Sequence, residues 1–191
     1  MKYVIGLDYG SDSCRALIVE AETGKEIASS VKYYKRWTEG KYCDPQANRY
    51  RQHPLDYTEG LIESVREALS KSPIGTAENV VGISFDTTGS TPVLIDKDGT
   101  PLALLPEFAE NPNGMFILWK DHTAIKEAAR INELAATWDI DYTAYEGGIY
   151  SSEWVWAKIA HVLEEDVSIR KKAYSWVEHC DWMTAVLTGK T

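Results

Sequence analysis

Asp8, Gly10, Ser11, Asp12, Ser13 and Arg15 crowd into one stretch, GLDYGSDSCRALIVE, residues 6–20. Two chemistries fit that spacing. Gly, Ser and Asp are ordinary residues of a polar hairpin turn. The same residues can cradle an anion: backbone N–H groups from Gly10 to Ser13 converge into a nest, Ser11 and Ser13 add hydroxyl donors, and Arg15 adds a permanent charge. Asp8 beside bound phosphates would then need a cation, and Mg²⁺ held through water is the natural one. The loop by itself does not choose between the two.

SFDTTGSTPVLID poses the same question. Asp86 ends an apolar run, and the small residues after it let a ligand approach the backbone closely. They also suit a hairpin with hydroxyl-capped ends. LWKDHT sets Trp119, Lys120, Asp121 and His122 in a row. An aromatic face beside charged hydrogen-bonding groups suits a sugar. The bland reading is a core Trp at a helix start, with Asp121 or Thr123 as N-cap.

Two other segments mimic sites. EHCD, residues 178–181, offers four metal-ligating types, but consecutive helical residues point in different directions, so structural roles are expected. His53, His122 and His161 lack metal-ligand spacing. Gly189-Lys190-Thr191 matches the end of a P-loop. That motif needs a Gly where Thr184 stands and must open a helix, whereas this tripeptide ends one.

The elements that must position these residues follow from periodicity. Residues 2–8, 14–20 and 25–34 read as three strands joined by short turns, an antiparallel meander. Residues 36–54 read as irregular. A helix follows, with Leu61, Ile62, Val65, Ala68 and Leu69 on one face. NVVGISFD and TPVLID read as two further buried strands. From about Thr123 the pattern is helical through Ile125, Ala128, Ile131, Ala135 and Trp138, then breaks at YEGGIY. A helix capped by Ser151 or Ser152 carries Val155, Ile159, Val162 and Leu163, and EHCDWMTAVLTGKT reads as a last helix. Strands, then a helix, then strands and helices predict an α/β fold: a mixed sheet with an antiparallel three-strand meander and flanking helices.

The bulk numbers narrow the class. With 191 residues, 44% of them apolar, the chain can bury a real core but is short for two full domains. The net charge of −9 and the lack of a basic stripe argue against nucleic acid and against an anionic membrane surface as partners. Cys14, Cys43 and Cys180 form neither a disulfide framework nor a zinc ribbon. No signal-peptide or transmembrane run is present, and a reducing cytoplasm is the expected compartment.

Taken together, the segments resemble the N-terminal lobe of the FGGY carbohydrate kinases, which share the actin/Hsp70/sugar-kinase (ribonuclease H-like) ATPase fold. GLDYGSDSCRALIVE resembles the first phosphate loop of that family. RQHPLDY resembles the acidic/polar-Pro segment before its first helix. VVGISFDTTGSTPVLID resembles the strand–turn–strand bordering the sugar, LWKDHT the Trp-x-Asp segment of the sugar pocket, and DWMTAVLTG the Asp-aromatic…Leu-Thr-Gly helix. The order is that of the family, from Lys2 to Gly189. WKDHT, GGIYSSEWVWAKIAH and EHCDWM resemble the ribulokinase branch.

The resemblance implies ATP-dependent phosphorylation of L-ribulose at its 5-hydroxyl, in arabinose catabolism, with ATP and Mg²⁺ as cofactors. By carry-over, Gly10, Ser11, Asp12, Ser13 and Arg15 match the phosphate loop, and Asp8 the carboxylate near Mg²⁺. Gly89 and Trp119 match sugar-contacting positions; Ser90 and Lys120 are weaker matches. Family members are two-lobed and longer. Residues 1–191 are therefore expected to be an incomplete N-terminal lobe, inactive alone, with the general base and adenosine loops beyond Thr191. The resemblance does not place that base at Asp86. Two alternatives stay open: a kinase for another pentulose, and a non-catalytic nucleotide- or sugar-binding or assembly module on the same half-fold. Homo-oligomerisation is also left open.

Overall fold

The structure is a computed structural model that describes residues 1–189. Lys190 and Thr191, the end of the P-loop-like tripeptide, lie outside the described residues. In chain order the elements are β1 (Tyr3–Tyr9), β2 (Ser13–Glu20), β3 (Glu26–Tyr33), α1 (Lys35–Thr38), β4 (Cys43–Asp44), β5 (Arg49–Gln52), α2 (Pro54–Ser70), β6 (Val80–Thr87), β7 (Pro92–Ile95), β8 (Phe116–Ile117), α3 (Ile125–Ala135), α4 (Val155–Glu165), α5 (Val167–Lys172), β9 (Ser175–Glu178) and α6 (His179–Thr188). They form two compact units, Met1–Lys41 with His53–Thr88, and Tyr42–Gln52 with Gly89–Thr191.

In the first unit the meander is present. The sheet order is β3-β2-β1-β6, antiparallel across β1, β2 and β3, with β6 parallel to β1. Strict alternation builds one buried face: Tyr3, Ile5, Leu7 and Tyr9 from β1, and Cys14, Ala16 and Ile18 from β2. Helix α2 begins with Pro54 at its first turn, and His53 Nδ1 accepts from Leu55 N at 3.2 Å.

The buried stripe of α2 differs from the expected one. It consists of Tyr57, Gly60, Ser64 and Ala68, while Ile62 is 47% exposed. The cause is size. Tyr9, Tyr34 and Tyr57 stack edge-on, with centroids 5.9 Å and 5.4 Å apart, so the helix must approach through its small residues. A Cβ on Gly60 would lie 3.1 Å from Cys14 Cβ and 3.2 Å from Tyr34 Cε1. Gly60→Val should therefore lose about 1–3 kcal/mol through overpacking. Ile62→Ala should change stability by less than about 1 kcal/mol. Urea titration of both variants checks this, and the reverse ranking would restore the hydropathy-based face.

Strand β6 is not the buried strand its composition suggests. Among the described residues β6 lies at the edge of the sheet, hydrogen-bonded to β1, and Val81 and Ile83 are 60% and 49% exposed. The region 36–54, read as irregular, contains α1, β4 and β5.

The second unit has its own core of Leu94, Leu102, Ile117, Ile159, Val162 and Ile169. Its strands form a β4-β5-β8 sheet and a β7-β9 pair. The hairpin reading of SFDTTGSTPVLID fails: β7 pairs antiparallel with β9, from Pro92↔Glu178 to Ile95↔Ser175. The expected caps also differ. Helix α4 starts after Trp154 with no side-chain cap, and Ser151 Oγ instead accepts from Glu153 N at 3.1 Å. Helix α3 starts after Ala124, so neither Asp121 nor Thr123 caps it, and Trp138 lies beyond its end.

Candidate functional site

The residues singled out for phosphate chemistry all lie in the first unit. Strand pairing puts Asp8 opposite Arg15 on β2 and beside Asp86 on β6. All three are exposed and share the sheet face opposite α2. In a parallel pair their chains run about 4.8 Å apart, so the two carboxylates are near neighbours. Arg15 Nη1 is 3.9 Å from Asp8 Oδ2, with both side chains 60% exposed, a contact of little energetic weight. Gly6, Leu7, Leu17, Ser84 and Phe85 complete a groove of about 400 Å³ around this row.

The Gly10–Ser13 loop is a tight turn joining β1 to β2, closed by Gly10 N donating to Ser13 O at 2.9 Å. Ser13 Oγ donates to Asp12 Oδ1 at 2.9 Å, and Asp12 O accepts from Tyr34 N at 2.8 Å. The Gly10 amide is thus committed within the turn, and a phosphate cradle would rest on the loop's other groups. Gly10 itself has no internal reason to be glycine. Its φ is not positive, and an added Cβ would meet only Ser13 O at an ordinary 3.5 Å. The missing side chain leaves space on the outside of the turn, where a ligand can approach the backbone.

Two adjacent exposed carboxylates with a backbone turn beside them suit a hard divalent cation. Mg²⁺ takes one or two carboxylates and fills its remaining positions with water and phosphate oxygens. Among the described residues no group of three or more His, Cys, Asp or Glu side chains is gathered to hold a metal.

The residues singled out for the sugar all lie in the second unit. Trp119 is 41% exposed, which removes the reading of it as a core residue. Lys120 Nζ stands 4.8 Å from the Tyr50 ring centroid, a cation–π contact. Gly89 is exposed, and a Cβ there would meet nothing within 4 Å. Ser90 Oγ donates to Glu178 Oε1 at 2.9 Å, and Thr91 N donates to Glu178 Oε2 at 2.8 Å.

Asp121 does not face outward to hold hydroxyls. It is fully buried: Oδ2 accepts from Arg51 Nε at 2.9 Å and from Tyr50 N at 2.8 Å, and Oδ1 from Thr123 N at 3.0 Å and Thr123 Oγ1 at 2.6 Å. Burial raises its carboxyl pKa, but the Arg51 guanidinium and the Thr123 and Tyr50 donors outweigh that and hold it below the usual range. Within EHCD, Glu178 holds Ser90 and Thr91, and His179 is buried against Phe116, ring centroids 5.3 Å apart. Burial holds the His179 imidazole pKa down to about 3.

Lys158 is a functional candidate that the motifs do not mark: it sits inside an apolar stripe with Val155, Ile159 and Val162. Its Nζ donates to Ser90 O and Leu118 O, both at 2.8 Å. A lysine at a core position of an amphipathic helix was the available signal.

Known proteins resemble this chain in sequence and in fold. The family model described as the FGGY family of carbohydrate kinases, N-terminal domain, matches residues 3–191. A ribulokinase from Vibrio parahaemolyticus is 58% identical over 187 residues, 97% of this chain and 33% of the relative. The chain thus spans about a third of the length of that relative. A crystal structure of gluconate kinase from Lactobacillus acidophilus superposes with a TM-score of 0.73 at 18% identity, over 98% of this chain and 33% of the other. A ligand-bound xylulose kinase from the same organism gives 0.71 at 16% identity, over 99% and 34%. At such identities these structures establish the fold: an α/β arrangement of the sugar-kinase type. No helix among the described residues is long and apolar enough to cross a membrane.

Proposed function

The chain belongs to the FGGY family of carbohydrate kinases, and from that premise we propose that it is the N-terminal part of an enzyme that phosphorylates L-ribulose with ATP and Mg²⁺, giving L-ribulose 5-phosphate. The observation that carries the substrate is the 58% identity to a ribulokinase across 97% of the chain. That span includes the phosphate turn, the Ser90 and Trp119 segments and the helices between them.

ATP with its bound Mg²⁺ supplies the phosphoryl group and neutralises its charge. The chain's residues position and orient. Asp8 would hold the cation, with Asp86 beside it on the neighbouring strand. Ser11, Asp12 and Ser13 line the phosphates, Gly10 leaves them room, and Arg15 adds positive charge. Trp119 offers an aromatic face to the sugar's C–H surface, while Gly89, Ser90 and Lys120 border its hydroxyls.

The test is steady-state ADP release by the full-length protein carrying this chain, with L-ribulose, D-xylulose, gluconate and glycerol. L-Ribulose should give the highest kcat/KM. Trp119→Ala should raise its KM on the order of 10-fold or more through loss of the stacking surface. A higher kcat/KM for another sugar would reassign the substrate, and absence of any sugar-dependent ADP release would remove the kinase reading.

A further inference from the structure

We propose that Lys158 is a positioning residue of the sugar pocket: its buried ammonium ties together the two backbone segments that carry Ser90 and Trp119, and so sets their spacing for the sugar. The proposal rests on the sugar-kinase reading above and assigns it a residue that touches no substrate. Lys158 is 1% exposed. One of its N–H donors reaches the carbonyl of Ser90, the other that of Leu118, the residue before Trp119, both at 2.8 Å. Charge-assisted bonds to carbonyls are stronger than neutral ones and directional. Glu178 grips the first segment from β9, accepting from Ser90 Oγ and Thr91 N. Residues 90–91 are thus held by a cation from α4 and an anion from β9.

Packing alone does not call for this arrangement. A methionine has similar length, fills irregular gaps and carries no desolvation penalty. What a lysine adds is a point charge with three donors, able to fix two carbonyls at once. Both carbonyls belong to the segments assigned to sugar contact on other grounds.

The charge carries a pH dependence. Burial lowers the Lys158 pKa to about 8, against the opposing pull of Asp121, Glu178 and Glu153, with the Arg51 guanidinium adding to the lowering. Below that pH the ammonium holds both carbonyls. Above it the neutral amine holds them less firmly.

The experiment measures KM for L-ribulose, KM for ATP and kcat from pH 6.5 to 9.5 for the full-length wild type, Lys158→Arg and Lys158→Met, with thermal melts alongside. In the wild type, kcat/KM for L-ribulose should fall on an alkaline limb near pH 8, while KM for ATP stays flat. Lys158→Arg keeps the charge throughout and should lose that limb. Lys158→Met should raise the sugar KM on the order of 10-fold or more at pH 7, with KM for ATP unchanged. If Lys158→Met does not fold, the wild-type profile against that of Lys158→Arg decides. An alkaline limb that persists in Lys158→Arg, or a folded Lys158→Met with wild-type sugar KM, overturns the proposal. A wild type without L-ribulose turnover overturns the kinase reading instead and removes the proposal with it.

Discussion

Asp121→Ala should destabilise the chain by about 3–5 kcal/mol, the range for breaking one side of a buried ion pair. Asp121 receives four hydrogen bonds and is fully buried, and its partner Arg51 is 1% exposed. Alanine would leave the Arg51 guanidinium with Asn113 Oδ1 at 3.2 Å and Thr123 Oγ1 at 3.3 Å, neither of them a counter-charge. Tyr50 N would also lose its acceptor. The pair is costly to break but not a large net gain, since both ions were desolvated to make it. The double variant Arg51→Met/Asp121→Leu should therefore recover most of the loss. The sign with pH follows from the lowered Asp121 pKa. The folded state binds its proton less tightly than the unfolded state does. The contribution is therefore present above the unfolded carboxylate pKa of about 4 and is lost as pH falls through the folded value. Urea unfolding of wild type, single and double variants in a series descending from pH 7 to pH 2.5 checks this. A single variant within about 1 kcal/mol of wild type would show that Arg51 finds other compensation.

Asp121 also shows where the sequence stops being legible. Its neighbours Trp119 and Lys120 drew attention to a sugar pocket, and nothing local marked Asp121 as the partner of a residue 70 positions away. Pairing of β7 with β9 is hidden for the same reason: TTGST describes a turn but says nothing of residues 175–178. What was legible is what short-range physics dictates. Alternation through Tyr3–Tyr9 and Ser13–Glu20, with turn residues between, was enough to place the meander. Helix α2 was legible as a helix but not in its facing, because hydropathy points to Leu61 and Ile62 whereas steric room selects Gly60 and Ser64. Strand β6 read as buried because Val and Ile dominate it, and composition cannot tell an edge strand from a central one. Lys158 was visible as a charge in an apolar stripe, yet its carbonyl partners lie 68 and 40 residues away.

Asp8→Ala should lower kcat of the full-length enzyme on the order of 100-fold or more while moving the L-ribulose KM by less than about 3-fold. The reasoning starts from the strand register. Asp8 stands between Arg15 and Asp86 on the open sheet face beside the Gly10–Ser13 turn, in the first unit, whereas Gly89, Ser90, Trp119 and Lys120 belong to the second. A carboxylate that orients the cation's water shell acts on charge developing during transfer, so its loss should appear in kcat rather than in sugar binding. Its contact with Arg15, 3.9 Å long and largely exposed, is too weak for a folding defect to mimic that result. Gly10→Ala supplies the independent arm. The added Cβ meets no tight internal contact, so the melting temperature should hold, while KM for ATP should rise on the order of 10-fold as the methyl occupies the space left for phosphates. Both variants should leave sugar affinity in place, the opposite of Trp119→Ala. If Asp8→Ala instead raised only the sugar KM, the carboxylate would belong to the sugar and its assignment to the phosphate side would be wrong. If Gly10→Ala left KM for ATP unchanged, the β1–β2 turn would be the plain hairpin that its residues equally allow.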